Sequence, residues 1–284
     1  GDDEIPYVIP TDNTEGKELL ADDEFPENGL KQALLMHLMS SSHLFLNGAT
    51  VSNFVIHPSV KVSEHQKFAN KIGEYLNELN ISIEEDCTIE TLKNVYENLK
   101  TTKQNIAGFN EIYEYIKKLL DEDLLKVMLV NSKVSYEDNS QYETGINIVI
   151  GGNSLGRGIT FPMLQTIYYC RVAKNPQADT MWQHSRMFGY DRDPNLVRVF
   201  MPPILIKRFS EINKTNNSLI KQIKTMTNPD DIKLYYDKSE PYSIEGGDVM
   251  VLSKEVIAIG ISQRTEPDAI AVFAKRLFKD KSNN

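Results

Sequence analysis

The first strongly patterned stretch is LKQALLMHLMSSSHLFL. Its apolar residues recur at helical spacing from Leu30 to Leu46, and Gly48 follows as a stop signal. NFVIHPS, from Asn53 to Ser59, is short and apolar and closes on polar residues, the pattern of a buried strand. EHQKFANKIGEYLNEL then sets Phe68, Ile72, Tyr75, Leu76 and Leu79 along one side of an amphipathic helix. Two more helical patterns, ETLKNVYENLKT and GFNEIYEYIKKLLDED, delay the next strand, KVMLVNS, and read as a helical insertion at about 81–123.

After Gln141 three near-continuous apolar runs follow, INIVIGG, QTIYYCRV and VRVFMPP. Runs apolar on both faces are expected of parallel strands covered by helices on either side. Between the last two, ADTMWQHSRMFG predicts a helix with Met181, Trp182 and Met187 turned inward. The alternation of strand and helix predicts an α/β fold, a three-layer sandwich with a parallel sheet flanked by helices. Residues 214–284 differ: a polar helical stretch, two β-like runs (DVMVLS and EVIAIGIS), and a helix from Glu266 capped by Thr265. They read as a small C-terminal α/β extension.

Composition narrows the function classes. The chain has 284 residues, 40% hydrophobic and 25% charged, which excludes a disordered or fibrous protein and allows one large domain or two small ones. With 31 basic against 40 acidic residues the net charge is −9, so DNA would be met only along a local groove and not on a broad basic surface. Cys87 and Cys170 lie far apart, which indicates neither a disulfide framework nor a zinc site and fits a reducing compartment. No apolar run approaches the roughly 20 residues that span a bilayer, and the start has no signal-peptide pattern; the expectation is a soluble, cytoplasmic chain. The opening GDDEIPYVIPTDNTEG is acidic and punctuated by proline, and residues 1–27 read as a lead-in from a longer parent.

In this architecture ligands sit beyond the carboxyl ends of the strands. GGNSLGRGITFP, from Gly151 to Pro162, follows the INIVI strand directly. Its glycines let backbone amides approach a partner, Ser154 and Thr160 add hydroxyls and Arg157 adds a cation, a surface suited to phosphate; a flexible connecting loop is the plainer alternative. QHSRMFGYDR, from Gln183 to Arg192, offers Arg186 and Arg192 to the same edge, where a guanidinium could neutralise a transferred phosphoryl group; both could equally pair with Asp179, Asp191 or Asp193. His57, Ser59 and Lys61 at the first strand's end are candidate contacts to a nucleic-acid backbone, or ordinary strand-end polar residues. His37 and His43 lie on an apolar helix and read as structural, and no carboxylate or cysteine joins the histidines at metal-ligand spacing.

Taken together, the S-x-x-R-G-x-T-x-P loop and the later Q-x-x-R-x-x-G-Y resemble motifs V and VI in the second RecA-like domain of superfamily-two helicases and translocases. GGNSLGRGITFP with QHSRMFGY resembles more closely the Z1 domain, a helicase-like ATPase domain of bacterial restriction-modification and phage-defence proteins. LKQALLMHLM followed by NFVIHPSVKVSEH extends the resemblance upstream. It implies a helicase C-terminal, RecA-like domain over 28–213. Gln183, Gly156, Arg157, Gly158 and Thr160 would meet nucleotide, Arg186 and Arg192 would be catalytic, and His57, Ser59, Lys61, Asn153 and Ser154 would meet nucleic acid. In this sequence Ser185 stands where the family has glycine and Asp191 where it has arginine, with Arg192 supplying the charge one position later.

A G-x-x-x-x-G-K-[ST] phosphate loop is absent, and the lone Gly16-Lys17 lacks its other elements. The resemblance therefore implies that ATP and Mg are held in a two-lobe parent, with the N-terminal RecA-like lobe of the same protein as partner. This chain alone would bind neither stably and would be inactive. DNA would bind it weakly, and a nuclease or methyltransferase subunit is a further implied partner. The rival expectation is a non-catalytic RecA-like scaffold that docks such a partner.

Overall fold

The computed structural model describes residues 7–21, 29–59, 61–130, 140–152, 155, 161–172, 192–226, 236, 240–253, 256–262 and 265–281. They form β1 (Val8–Pro10), α1 (Glu15–Glu18), α2 (Leu30–Leu46), β2 (Val51–His57), α3 (Val62–Ser82), α4 (Asp86–Lys100), α5 (Phe109–Asp121), β3 (Leu125–Val130), β4 (Gly145–Gly151), β5 (Leu164–Tyr169), β6 (Arg198–Met201), α6 (Pro203–Met226), β7 (Val249–Val251), β8 (Ile257–Ile259) and α7 (Pro267–Lys281). The chain divides into two compact units, Gly1–Lys214 and Thr215–Asn284.

The first unit is built on a six-stranded sheet in the order β1-β6-β5-β2-β4-β3, with every pairing parallel. β2 lies near its centre and all seven of its residues are buried, which is why that run is apolar on both sides and shows no alternation. Alternate side chains feed two cores. Phe54 and Ile56 join α2, α3, α4 and α5 through Leu34, Leu38, Phe68, Leu92 and Ile116. Val55 and Val149 join the opposite core with Leu205 of α6, against which Phe209 also packs. This is the expected parallel sheet flanked by helices. α4 and α5, read as an insertion, bury Leu92, Leu99, Ile112 and Ile116 in the main core.

The stretch read as a lead-in contributes more than a tether. Val8, Ile9 and Pro10 pair with Val199, Phe200 and Met201, so β1 closes one edge of the sheet. A proline is tolerated there because an edge strand needs hydrogen bonds on one side only. Between Asn53 and Phe54 the register with β5 jumps from Leu164 to Thr166, so Gln165 is a bulge residue. Asn53 bridges this irregularity by donating from Nδ2 to the Tyr142 and Pro162 carbonyls, and its Oδ1 accepts from Asn147 at 3.0 Å.

In the second unit β7 and β8 form an antiparallel pair in which Val249, Met250 and Val251 face Ile259, Ala258 and Ile257. Asp248 holds the chain after this hairpin, its Oδ2 accepting from Ser262 Oγ at 2.7 Å and from Thr265 Oγ1. Thr265 Oγ1 in turn accepts the Glu245 amide at 3.0 Å, and Glu266 Oε2 accepts the Ser243 amide at 2.7 Å. Among the described residues no helix is long and apolar enough to cross a membrane.

Candidate functional site at the carboxyl edge of the sheet

In a parallel sheet every strand ends on the same side, and the helices that run back between strands begin there. The carboxyl edge of the first unit therefore gathers the ends of β2, β4 and β5 with the amino ends of α2 and α3. His57 closes β2, and its ring lies against that of Tyr169 at the end of β5, tilted by 35° with centroids 4.7 Å apart. Tyr169 meets Phe209 edge-on at 6.2 Å. His57 is fully buried, so this ring braces the two strand ends from inside and does not face solvent.

The turn after β2 is tightly organised. The Lys61 amide donates to Ser59 Oγ at 3.1 Å, and His65 Nε2 meets the Ser59 carbonyl at 3.0 Å. Lys61 reaches solvent and pairs with Glu64 at 3.0 Å. The hydrogen bond from Ser59, aided by Lys61, holds the Glu64 carboxyl below its ordinary value. α3 starts here without a cap bond from the Lys61 side chain, and the Glu64 amide donates to the Lys61 carbonyl at 3.0 Å.

The amino end of α2 is already filled. Glu15 Oε1 accepts the Leu30 amide and the Tyr168 hydroxyl, both at 2.8 Å. Gly29 at φ 72° makes the approach possible, since a Cβ there would overlap the Glu15 carboxylate. Burial raises the Glu15 carboxyl above its ordinary value against the pull of these bonds. Burial foremost, with the Glu15 charge beside it, pushes the Cys170 thiol up to about 12. Glu15 and Tyr168 were not singled out from sequence, and Cys170 was read there only as a cysteine far from Cys87. No local pattern ties a carboxylate to a helix end fifteen residues later, so the signal exists only in the fold.

After β4 the chain turns at Gly151, where a Cβ would meet Leu155 Cγ at 2.9 Å and Val130 Cβ at 3.2 Å. Leu155 is buried, and its amide donates to the Gly152 carbonyl at 3.1 Å. On the far side Phe161 is buried against Tyr142, with centroids 5.0 Å apart. Leu155 is thus a buried anchor just past the carboxyl end of β4, and Phe161 a second one just before the amino end of β5. Asn153, Ser154, Gly156, Arg157, Gly158 and Thr160, and likewise Gln183 and Arg186, lie outside the described residues.

Arg192 is described, and its neighbours place it elsewhere. The next residue, Asp193, pairs with Lys103 at 2.7 Å and accepts the Asn195 amide at 2.9 Å, just before β6 begins. Both charges act on His43 in the last turn of α2, and His43 Nδ1 accepts the Ala107 amide at 3.0 Å. These groups mark the amino edge of the sheet. Strands of six or seven residues separate the two edges by roughly 20 Å, beyond the reach of an arginine side chain. Arg192 therefore does not stand beside His57 and Lys61, as the shared edge expected from sequence required. Among the described residues no group of three or more His, Cys, Asp or Glu side chains is placed to hold a metal ion.

The sequence pattern of the Z1 domain matches residues 29–237, and that of arginine deiminase matches residues 200–284. Arginine deiminase 1 of Staphylococcus epidermidis is 29% identical over 239 residues, covering 80% of this chain and 51% of that protein. Arginine deiminase of Staphylococcus haemolyticus is 50% identical over 52 residues, 18% of this chain and 13% of its own length. That of Borrelia duttonii is 42% identical over 52 residues, again 13% of its length. The chain thus spans about half of the first of these relatives and about an eighth of the others. No solved structure matches.

Proposed function

The chain belongs to the Z1 domain family over residues 29–237, and we propose that it acts as the second, RecA-like lobe of a helicase-like, DNA-dependent ATPase of a bacterial restriction-modification or phage-defence system. The observation that carries the reading is the carboxyl edge of the parallel sheet. Two segments of the family pattern, the loop after Gly151 and the turn from His57 to Lys61, leave the sheet side by side there, because β4 pairs directly with β2.

In the two-lobe parent, ATP lies between lobes, and the partner lobe supplies the phosphate loop and the ligands of Mg. Gly156, Arg157, Gly158 and Thr160 with Gln183 face the nucleotide from this side, and Arg186 meets the charge that grows on the transferred phosphoryl group. Lys61, Ser59, Asn153 and Ser154 lie toward the DNA backbone; His57 supports them from below through Tyr169. The described residues suit an anion. Lys61 reaches solvent at the start of α3, and the buried Glu15 carboxylate is turned inward to Leu30 and Tyr168. A phosphate would compete with Glu64 for Lys61.

The placement of Arg192 at the opposite edge favours, as a second reading, a RecA-like scaffold without turnover that docks a nuclease or methyltransferase. ATP hydrolysis separates the two. The purified chain is expected to show no turnover and the two-lobe parent DNA-stimulated turnover; a parent that binds DNA and hydrolyses nothing establishes the scaffold. In anisotropy titrations the chain should bind duplex DNA weakly and with steep salt dependence, as few phosphate contacts imply. Arg157→Ala combined with Lys61→Ala should weaken it at least tenfold, and unchanged binding would move the groove elsewhere.

A further inference from the structure

The helical layer of the first unit holds a cavity of about 550 Å³, lined by residues of α2, α3 and α4. That volume falls in the range of small-molecule sites, which join an apolar base to a few directed polar groups. Leu35, Leu79, Leu92 and Val95 form the base, none of them more than 6% exposed. Tyr75 adds an aromatic wall, and the Lys31 ammonium lies 5.4 Å from the centroid of its ring.

The hydroxyls of the lining are already committed as donors. Ser82 Oγ donates to the Glu78 carbonyl at 2.9 Å, Thr88 Oγ1 to Ser82 Oγ at 3.4 Å and Thr91 Oγ1 to the Cys87 carbonyl at 2.9 Å. A hydroxyl has one proton to give, so toward a ligand these three can only accept, as the Glu78 carboxylate does. Carboxamides supply the complementary donors. Asn98 Oδ1 accepts from Arg198 Nε at 3.3 Å, which leaves its amide hydrogens, and the Gln32 and Asn94 side chains make no hydrogen bond among the described residues. Lys31 and Glu78 are the one cation and the one carboxylate of the described lining, so their charges cancel.

These features select a ligand. Carboxamides match the mixed donor and acceptor edge of a nucleobase, and a flat ring suits a base of aliphatic side chains beside an aromatic wall. Sugar hydroxyls bring the donors that Ser82, Thr88 and Thr91 require. A phosphate is poorly matched, because Lys31 is engaged over Tyr75 and Glu78 repels a second anion. We propose that the cavity between α2, α3 and α4 is a binding site for a nucleoside without its phosphates. The inference is independent of the ATPase reading, since none of these residues belongs to the loop after Gly151 or to the turn from His57 to Lys61.

Isothermal titration calorimetry of the full chain with adenosine, inosine, cytidine and uridine tests this. At least one should bind with a dissociation constant below about 1 mM, and its 5′-monophosphate about tenfold or more weaker. The bound nucleoside should also slow alkylation of Cys87, which is exposed in the lining. Thr91→Val with Asn94→Ala removes an acceptor and a carboxamide at exposed positions. Melting temperature should hold while affinity falls about tenfold or more, as two lost hydrogen bonds imply. Should that variant melt early, Gln32→Ala on α2 gives the same reading from the other wall, with a loss of about threefold or more. Neither heat nor Cys87 protection with any of the four at millimolar concentration overturns the proposal, and so does binding that the variants leave intact. A monophosphate that binds as tightly as its nucleoside overturns it too, and points to the carboxyl edge instead.

Discussion

The Glu15 carboxylate caps α2 through the Leu30 amide at 2.8 Å, with the same oxygen accepting the Tyr168 hydroxyl. One buried oxygen thus ties the short α1, the main core helix and a central strand together at the edge where ligands are expected. Because burial raises this carboxyl, the native state holds its proton more tightly than the unfolded chain, whose value is near 4.5. Its contribution is fully present below that value and is lost as pH rises through the raised native one. Glu15→Gln keeps the accepting oxygen and carries no charge, so urea midpoints should become flatter over this window and be no lower than wild type at pH 7. Glu15→Ala should cost about 1–3 kcal/mol, since it strands two buried donors. A glutamine variant with the wild-type pH profile would show that the carboxyl is not the titrating group.

His37 acts in the opposite direction. It is fully buried on α2, its ring 5.4 Å from Phe54 and its Nδ1 3.3 Å from Ser41 Oγ, and burial lowers it to about 3. A depressed base stabilises the fold above its unfolded value near 6.5, and that stability drains away as pH falls from there toward 3. His37→Gln should remove close to one proton from the slope of stability against pH in that range. An unchanged slope in urea titrations would place the acid sensitivity elsewhere.

Arg198 is a cation buried completely, with neutral partners only among its hydrogen bonds. It donates to Asn98 Oδ1 at 3.3 Å, the Asn98 carbonyl at 3.1 Å, Thr102 Oγ1 at 2.9 Å and the Val197 carbonyl at 2.9 Å. It fastens the end of α4 to the start of β6. Arg198→Met should lower stability by at least about 2 kcal/mol, because these bonds are charge-assisted and their acceptors would be left dry. Arg198→Lys should recover only part, having no fork to span them. Equal midpoints for wild type and Arg198→Met in chemical denaturation would show the cluster to be energetically neutral.

What could be read from the sequence follows from which signals are local. α2 was legible to its ends because seventeen residues repeat one spacing, and β2, β4 and β5 because central parallel strands are apolar throughout. β1 was missed because three residues with a proline carry no period, and only pairing with Val199 to Met201 makes them a strand. At the site, Lys61 and Ser59 were found as polar residues after a strand. The burial of His57 depends on Tyr169, more than a hundred residues away, and spacing alone does not fix beside which sheet edge a residue such as Arg192 stands.

The two cysteines should separate cleanly by reactivity. Cys87 is exposed near the start of α4, whereas Cys170 is buried with its thiol pushed up to about 12. Thiolate is the reactive form, so an alkylating agent at neutral pH should modify Cys87 alone, with Cys170 reacting only after unfolding. Peptide mass spectrometry reads this directly. Fast modification of Cys170 in the native chain would mean that the Glu15–Tyr168–Cys170 cluster opens readily.

The last expectation turns on the two arginines of the family pattern. If Arg186 meets charge that develops during phosphoryl transfer, its guanidinium stabilises the transition state more than bound ATP. Arg186→Ala in the two-lobe parent should then reduce kcat by about a thousandfold or more, with nucleotide affinity comparatively preserved. Arg192 sits beside Asp193, whose pairing with Lys103 holds this segment at the amino edge, roughly a strand length from the carboxyl edge where nucleotide is proposed to bind. Arg192→Ala should therefore leave kcat within about threefold of wild type and act, if at all, on melting temperature. Single-turnover ATP hydrolysis by the two variants decides the matter. Equal losses in both would require Arg192 to swing to the carboxyl edge in the two-lobe protein, and wild-type rates in both would leave the scaffold as the better account of this family member.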